Sequence, residues 1–170
     1  MTRPTMLFFG QDGPPGQGAE GKIVLRTLLY GTAKRAQIIE NMYVTVRRGE
    51  SVQTFNIWAY ADNGQPVRGG GLRVSEDGVA AYHHFVLPNG TQYVFLEGEY
   101  IVEVYATLVN SAHSLLLSRT HLELTDEQAV AIARHIGVYF NWGPLSKRYH
   151  AHVDSRPFDL EGCPPYRRMS

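Results

Sequence analysis

The residues best equipped for chemistry are histidines near the end of the chain. His150-x-His152-x-Asp154 spaces three potential metal ligands two apart, and on an extended strand alternate side chains share one side. Imidazole and carboxylate together suit zinc or iron. His83 or His84 supplies a further ligand if folding brings that segment alongside, and only one of the two can point there if they lie on a strand. His113, His121 and His135 have no partner at a recognisable spacing and receive no role.

Nucleophilic catalysis finds little support. There is no Gly-x-Ser-x-Gly elbow, and the single cysteine, Cys163, lies among prolines without a neighbouring histidine. Gly69-Gly70-Gly71 links strand-like segments and lacks the helix N-terminus that would make it an anion site. No catalytic residue is assigned, and the chain reads as a non-enzyme that needs no cofactor, with a zinc or iron protein as the alternative.

Aromatic residues make the second constellation. In Thr54–Ala61, strict alternation puts Phe55, Ile57, Ala59 and Ala61 on one face and Asn56, Trp58 and Tyr60 on the other. A two-layer protein buries only one face of each strand, so Trp58 and Tyr60 are expected to meet the chain's own helix or tail, a partner or a ligand. Tyr139, Phe140, Trp142 and Tyr149 form another aromatic group, with Tyr139 and Trp142 as candidate binding residues. The expected function is a non-catalytic protein-binding or self-assembly module using an aromatic sheet face, its partner a protein or a second copy. A glycan-binding module that stacks sugar rings on these aromatics is a further alternative.

Composition narrows the classes. Sixteen basic and sixteen acidic residues cancel over 170 positions, which argues against a phosphate-tracking surface and hence against nucleic acid as partner. No segment approaches the ~18 apolar residues of a membrane helix. Met6–Phe9 is too short for a signal peptide's apolar region, so the default location is cytoplasmic.

The elements that must position these residues are mostly strands. Lys22–Tyr30, Met42–Arg48, Ser51–Ala61 and the stretch from about 66 to 124 are rich in β-branched and aromatic residues and end in turn chemistry such as Asn63-Gly64 and Asn89-Gly90. One helix is predicted over 125–135, with Thr125 and Gln128 as a capping box and Gly137 as its stop. Val138–Asn141 and Lys147–Val153 each predict one more strand. Glycines and prolines over 10–21 predict a flexible lead-in over 1–21, a β domain spans 22–154, and 155–170 reads as an irregular tail.

The clearest folding signal is Gly98-Glu99-Tyr100 feeding the alternation of Tyr100, Val102, Val104, Ala106 and Leu108. It resembles the corner and following strand of immunoglobulin-like sandwiches, and Ala61–Val67 is similar to a hairpin of their bacterial repeats. The resemblance implies an all-β, antiparallel immunoglobulin-like sandwich of about 8–10 strands with one short C-terminal helix. It also implies that the Tyr100 ring packs inside while its hydroxyl reaches back to nearby backbone. The family's Cys pair is missing here. The expected core is Val24, Leu28, Val44, Phe55, Ile57, Val102, Val104, Leu108, Leu122 and Ile132.

Overall fold

Two antiparallel sheets face each other in the structure, a computed structural model that describes residues 1–12, 20–61 and 66–155. The turn expected at Asn63-Gly64, Cys163 and the tail beyond Ser155 lie outside the described residues. The strands are β1 (Met6–Asp12), β2 (Glu20–Leu29), β3 (Gln37–Arg48), β4 (Ser51–Phe55), β5 (Ile57–Ala61), β6 (Pro66–Arg68), β7 (Leu72–Val74), β8 (Val79–Val86), β9 (Gly98–Leu108) and β10 (Ser114–Leu124). Helix α1 (Asp126–Ala133), β11 (Gly137–Gly143) and β12 (Arg148–Asp154) complete the order. The larger sheet runs β12-β11-β1-β2-β8-β5-β6, and the smaller runs β10-β9-β3-β4 with β7 sharing the far edge of β3.

The core lies between the sheets. From the larger come Leu7, Phe9, Ile23, Leu25, Phe85, Val138 and Phe140; from the smaller come Met42, Val44, Val46, Tyr100, Val102, Val104 and Leu122. The alternation read along β9 therefore has the right phase. Val104 is fully buried, so Val104→Ala should cost on the order of 1–3 kcal/mol, seen as a lower urea midpoint; an unchanged midpoint would put that residue outside the core. Val44, Phe55 and Ile132 also sit in the core, and Leu108 packs against it. Val24, Leu28 and Ile57 do not: each alternates with a core neighbour and lies on the outer face of the larger sheet, where Val24 is still fully buried.

Two expectations about the ends change. Residues 6–12 of the predicted lead-in form β1, an interior strand hydrogen-bonded between β2 and β11. Gly10 fits that strand because the Phe8 ring lies over it, 2.5 Å from where a Cβ would stand. Helix α1 has the capping box as expected: the Gln128 amide donates to Thr125 Oγ1 at 3.3 Å, and the Thr125 amide donates to Gln128 Oε1 at 3.0 Å. Its stop differs. His135, at φ 60°, makes the turn, while Gly137 already begins β11. The helix carries the chain from the smaller sheet to the larger and packs Ala129 and Ile132 into the core against β1 and β11. Among the described residues no helix is long and apolar enough to cross a membrane.

Candidate functional site

Alternation through Thr54–Ala61 predicts Trp58 on a face needing outside cover. The structure places it in the core, 2% exposed. The reason is a break at Asn56, where the chain leaves β4 in the smaller sheet and enters β5 in the larger. Phe55 and Trp58 lie on opposite faces of one imagined strand but on the inner faces of two real ones. Trp58 Nε1 donates to His83 Nδ1 at 3.1 Å, the Tyr60 ring lies 5.3 Å away, and Gly69 lies so close that a Cβ would overlap the indole. Tyr60 is half-buried against the same core. The pair thus forms no exposed platform.

His83 is fully buried on this inner side, and its Nε2 has no hydrogen-bond partner among the described residues. Burial, reinforced by neighbouring His84, pulls its pKa down to about 4, so the ring is neutral at pH 7. His84 faces the other way. Burial and the charge of Lys22 lower it to about 4 against the opposing pull of Asp12, and Lys22 itself bridges Asp12 at 3.0 Å.

The remaining metal candidates share the outer face of the larger sheet. Pairing registers align His152, Tyr139, Phe8, Val24, His84 and Ala59 in one row across six strands. His152 stacks on Tyr139 at 5.3 Å, and His150 Nε2 lies 2.6 Å from Ser146 Oγ. His150, His152 and Asp154 alternate along β12 and so share that face. His84 stands four strands away, about 19 Å at ~4.8 Å per strand, and His83 faces the opposite side. The fold therefore separates the fourth ligand from the other three, and among the described residues no three metal-binding side chains converge. Trp142 is half-buried with the Arg3 guanidinium 3.9 Å above its ring, and the Tyr149 hydroxyl donates to Pro4 O at 2.7 Å.

The outer face of the smaller sheet holds a cluster that motif and spacing do not single out. Glu103 Oε1 accepts from Arg119 Nε at 2.7 Å, while Oε2 accepts from the Tyr105 and Thr45 hydroxyls at 3.0 and 3.3 Å. The Arg119 hydrogen bond leads in holding this carboxyl below its ordinary range, so the cluster is ionised and satisfied at pH 7. Tyr43 and Tyr105 stack at 5.0 Å beside it. Toward one end of this sheet, Ile38 on β3, Val109 just past β9 and Leu116 on β10 lie on the outer face, while Leu115, opposite Ala106, turns to the other side; each is more than two-fifths exposed. The alternation of Glu103, Tyr105, Thr107 and Val109 announces one strip of this face. Its neighbours on β3 and β10 cannot be read without the pairing register.

With this geometry in hand, comparison with protein-family models, curated proteins and solved structures finds no match to the chain.

Proposed function

We propose that this chain is a non-catalytic protein-binding and self-assembly module whose contact surface is the apolar end of the smaller sheet together with its free edge, β10. The observation that carries the reading is the edge strand β10 itself, with Leu115 and Leu116 exposed on its two sides, and with Ile38 and Val109 exposed farther toward the same end of the sheet. Exposed apolar side chains on an edge strand favour a protein contact, because the edge also offers unpaired backbone donors and acceptors beside them. The bulge in β10 is confined to the region of Leu117, and the regular stretch Ser118–Leu124 beyond it carries neither the lysine nor the proline that commonly blunt such edges. The aromatic face expected at Trp58 is replaced here by Tyr43, Tyr105 and Leu116.

An immunoglobulin-like classification is part of this reading. Its support is the corner at Gly98-Glu99-Tyr100, where the Tyr100 hydroxyl donates to Leu96 O at 2.5 Å and accepts from Leu96 N at 3.0 Å while the ring is fully buried.

Light scattering coupled to size exclusion over a wide concentration range tests the function. Wild-type protein should show a species larger than the monomer that diminishes on dilution. Leu116→Glu, at a position 47% exposed, should weaken that association at least about tenfold without lowering the urea midpoint. A wild-type monomer at every concentration overturns self-assembly, and an unaffected Leu116→Glu oligomer overturns the choice of surface.

A further inference from the structure

Strand β10 has a regular stretch, Ser118–Leu124, bounded at one end by the bulge around Leu117 and at the other by Thr125, the helix N-cap. Its midpoint is His121. Arg119 and Glu123 lie on the outer face two positions to either side of that midpoint. A second copy running antiparallel about a two-fold axis at His121 would therefore set Arg119 opposite its Glu123, twice over.

Among the described residues Glu123 meets no such cation. It stands directly opposite Glu99, a like-charge pair that disfavours the strand contact, and among the described residues neither carboxylate has an ion-pair partner. Arg119 has donors to spare. Nε and Nη2 hold Glu103, Nη1 has no acceptor among the described residues, and the side chain is 57% exposed. Other registers do worse. A shift that makes the summed register odd sets outer-face residues against inner-face ones. Centring on Thr120 or Leu122 keeps the faces but pairs Arg119 with His121 or Thr125, and it leaves part of the regular stretch unused.

We infer that the chain forms a two-fold dimer in which β10 pairs antiparallel with β10 of a second copy, centred on His121, so that two smaller sheets join edge to edge. The inference rests on the proposed function and names its partner and register. The segment that pairs is the one the bulge and the helix cap leave straight, and its ends carry complementary charge.

Cysteine cross-linking of the full chain tests the register. In a Cys163→Ser background, His121→Cys brings two thiols to one axis, within disulfide reach. Ser114→Cys, on the same strand, leaves its two thiols about 46 Å apart at ~3.3 Å per residue. Mild oxidation should give a disulfide-linked dimer for His121→Cys and none for Ser114→Cys. Separately, Glu123→Arg should weaken association at least about tenfold by facing Arg119 of the second copy. The same change replaces the Glu99–Glu123 repulsion with attraction, so the monomer should be no less stable, and lost association cannot be ascribed to unfolding. Association that persists without His121→Cys cross-linking, or that ignores Glu123→Arg, overturns this register and leaves the proposed function standing. Monomeric wild-type protein overturns both.

Discussion

Trp58→Ala is expected to cost about 3–5 kcal/mol of folding stability, a large share of the ~5–15 kcal/mol that holds a domain of this kind together. The indole is 2% exposed, wedged between the Gly69 backbone and Tyr60, and its N–H satisfies His83. Removing it opens a cavity and strips His83 of this hydrogen bond, leaving both ring nitrogens unpaired in the core. Trp58→Phe should lose less, about 1–3 kcal/mol, because an aromatic ring still fills most of the space while the donor is gone. Urea denaturation of the two variants beside wild type provides the check. A Trp58→Ala midpoint equal to wild type would mean that the ring is outside the core.

Acid should weaken the fold in a defined window. The folded pKa of His83 is about 4 because burial disfavours the charged ring, whereas in the unfolded chain it is about 6.5. Between those values the unfolded state binds a proton that the folded state does not, so stability is greatest above pH 6.5 and falls as pH drops toward 4. For His83 the full loss is on the order of 3 kcal/mol, taking ~1.4 kcal/mol per pH unit. His84, depressed by burial and by Lys22, adds to the loss in the same window. Glu103 belongs to a lower one: its pKa is depressed by Arg119, so its contribution persists until pH falls below the usual carboxylate range. Urea midpoints measured from pH 7 to 4 should decline steeply in wild type. They should decline less in His83→Gln, which can still accept from Trp58 but does not titrate. A flat wild-type profile across this range would contradict the burial of both histidines.

Much of the smaller sheet is legible in the amino-acid sequence alone. Tyr100 through Leu108 alternate without interruption, and the capping box at Thr125 and Gln128 is a local hydrogen-bond pattern that sequence reports directly. What misleads is continuity. Ser51–Ala61 reads as one strand, because a chain that changes sheets through a single residue leaves no glycine or proline to mark the step. The phase of every residue after Asn56 is inverted as a result, and Trp58 moves from surface to core. The lead-in departs from expectation for a similar reason. Glycines that signal flexibility locally, Gly10 among them, can also make room for a ring such as Phe8 in a crowded strand. Partners across a sheet, such as Arg119 for Glu103 or Glu99 for Glu123, are fixed by register, which short-range pattern does not contain.

The position of β1 also governs the order in which this protein can come together. Residues 6–9 are hydrogen-bonded on one side to residues 23–26, available early in synthesis, and on the other to residues 138–141, which leave the ribosome more than a hundred residues later. Until then one side of β1 is an open edge, and the inner surfaces of β1 and β2, with Phe9, Ile23 and Leu25, lack the cover that β11 and α1 complete. Pairings this distant in sequence make for folding in milliseconds to seconds rather than microseconds. Throughout that interval a nascent chain is at its most vulnerable to joining the wrong neighbour.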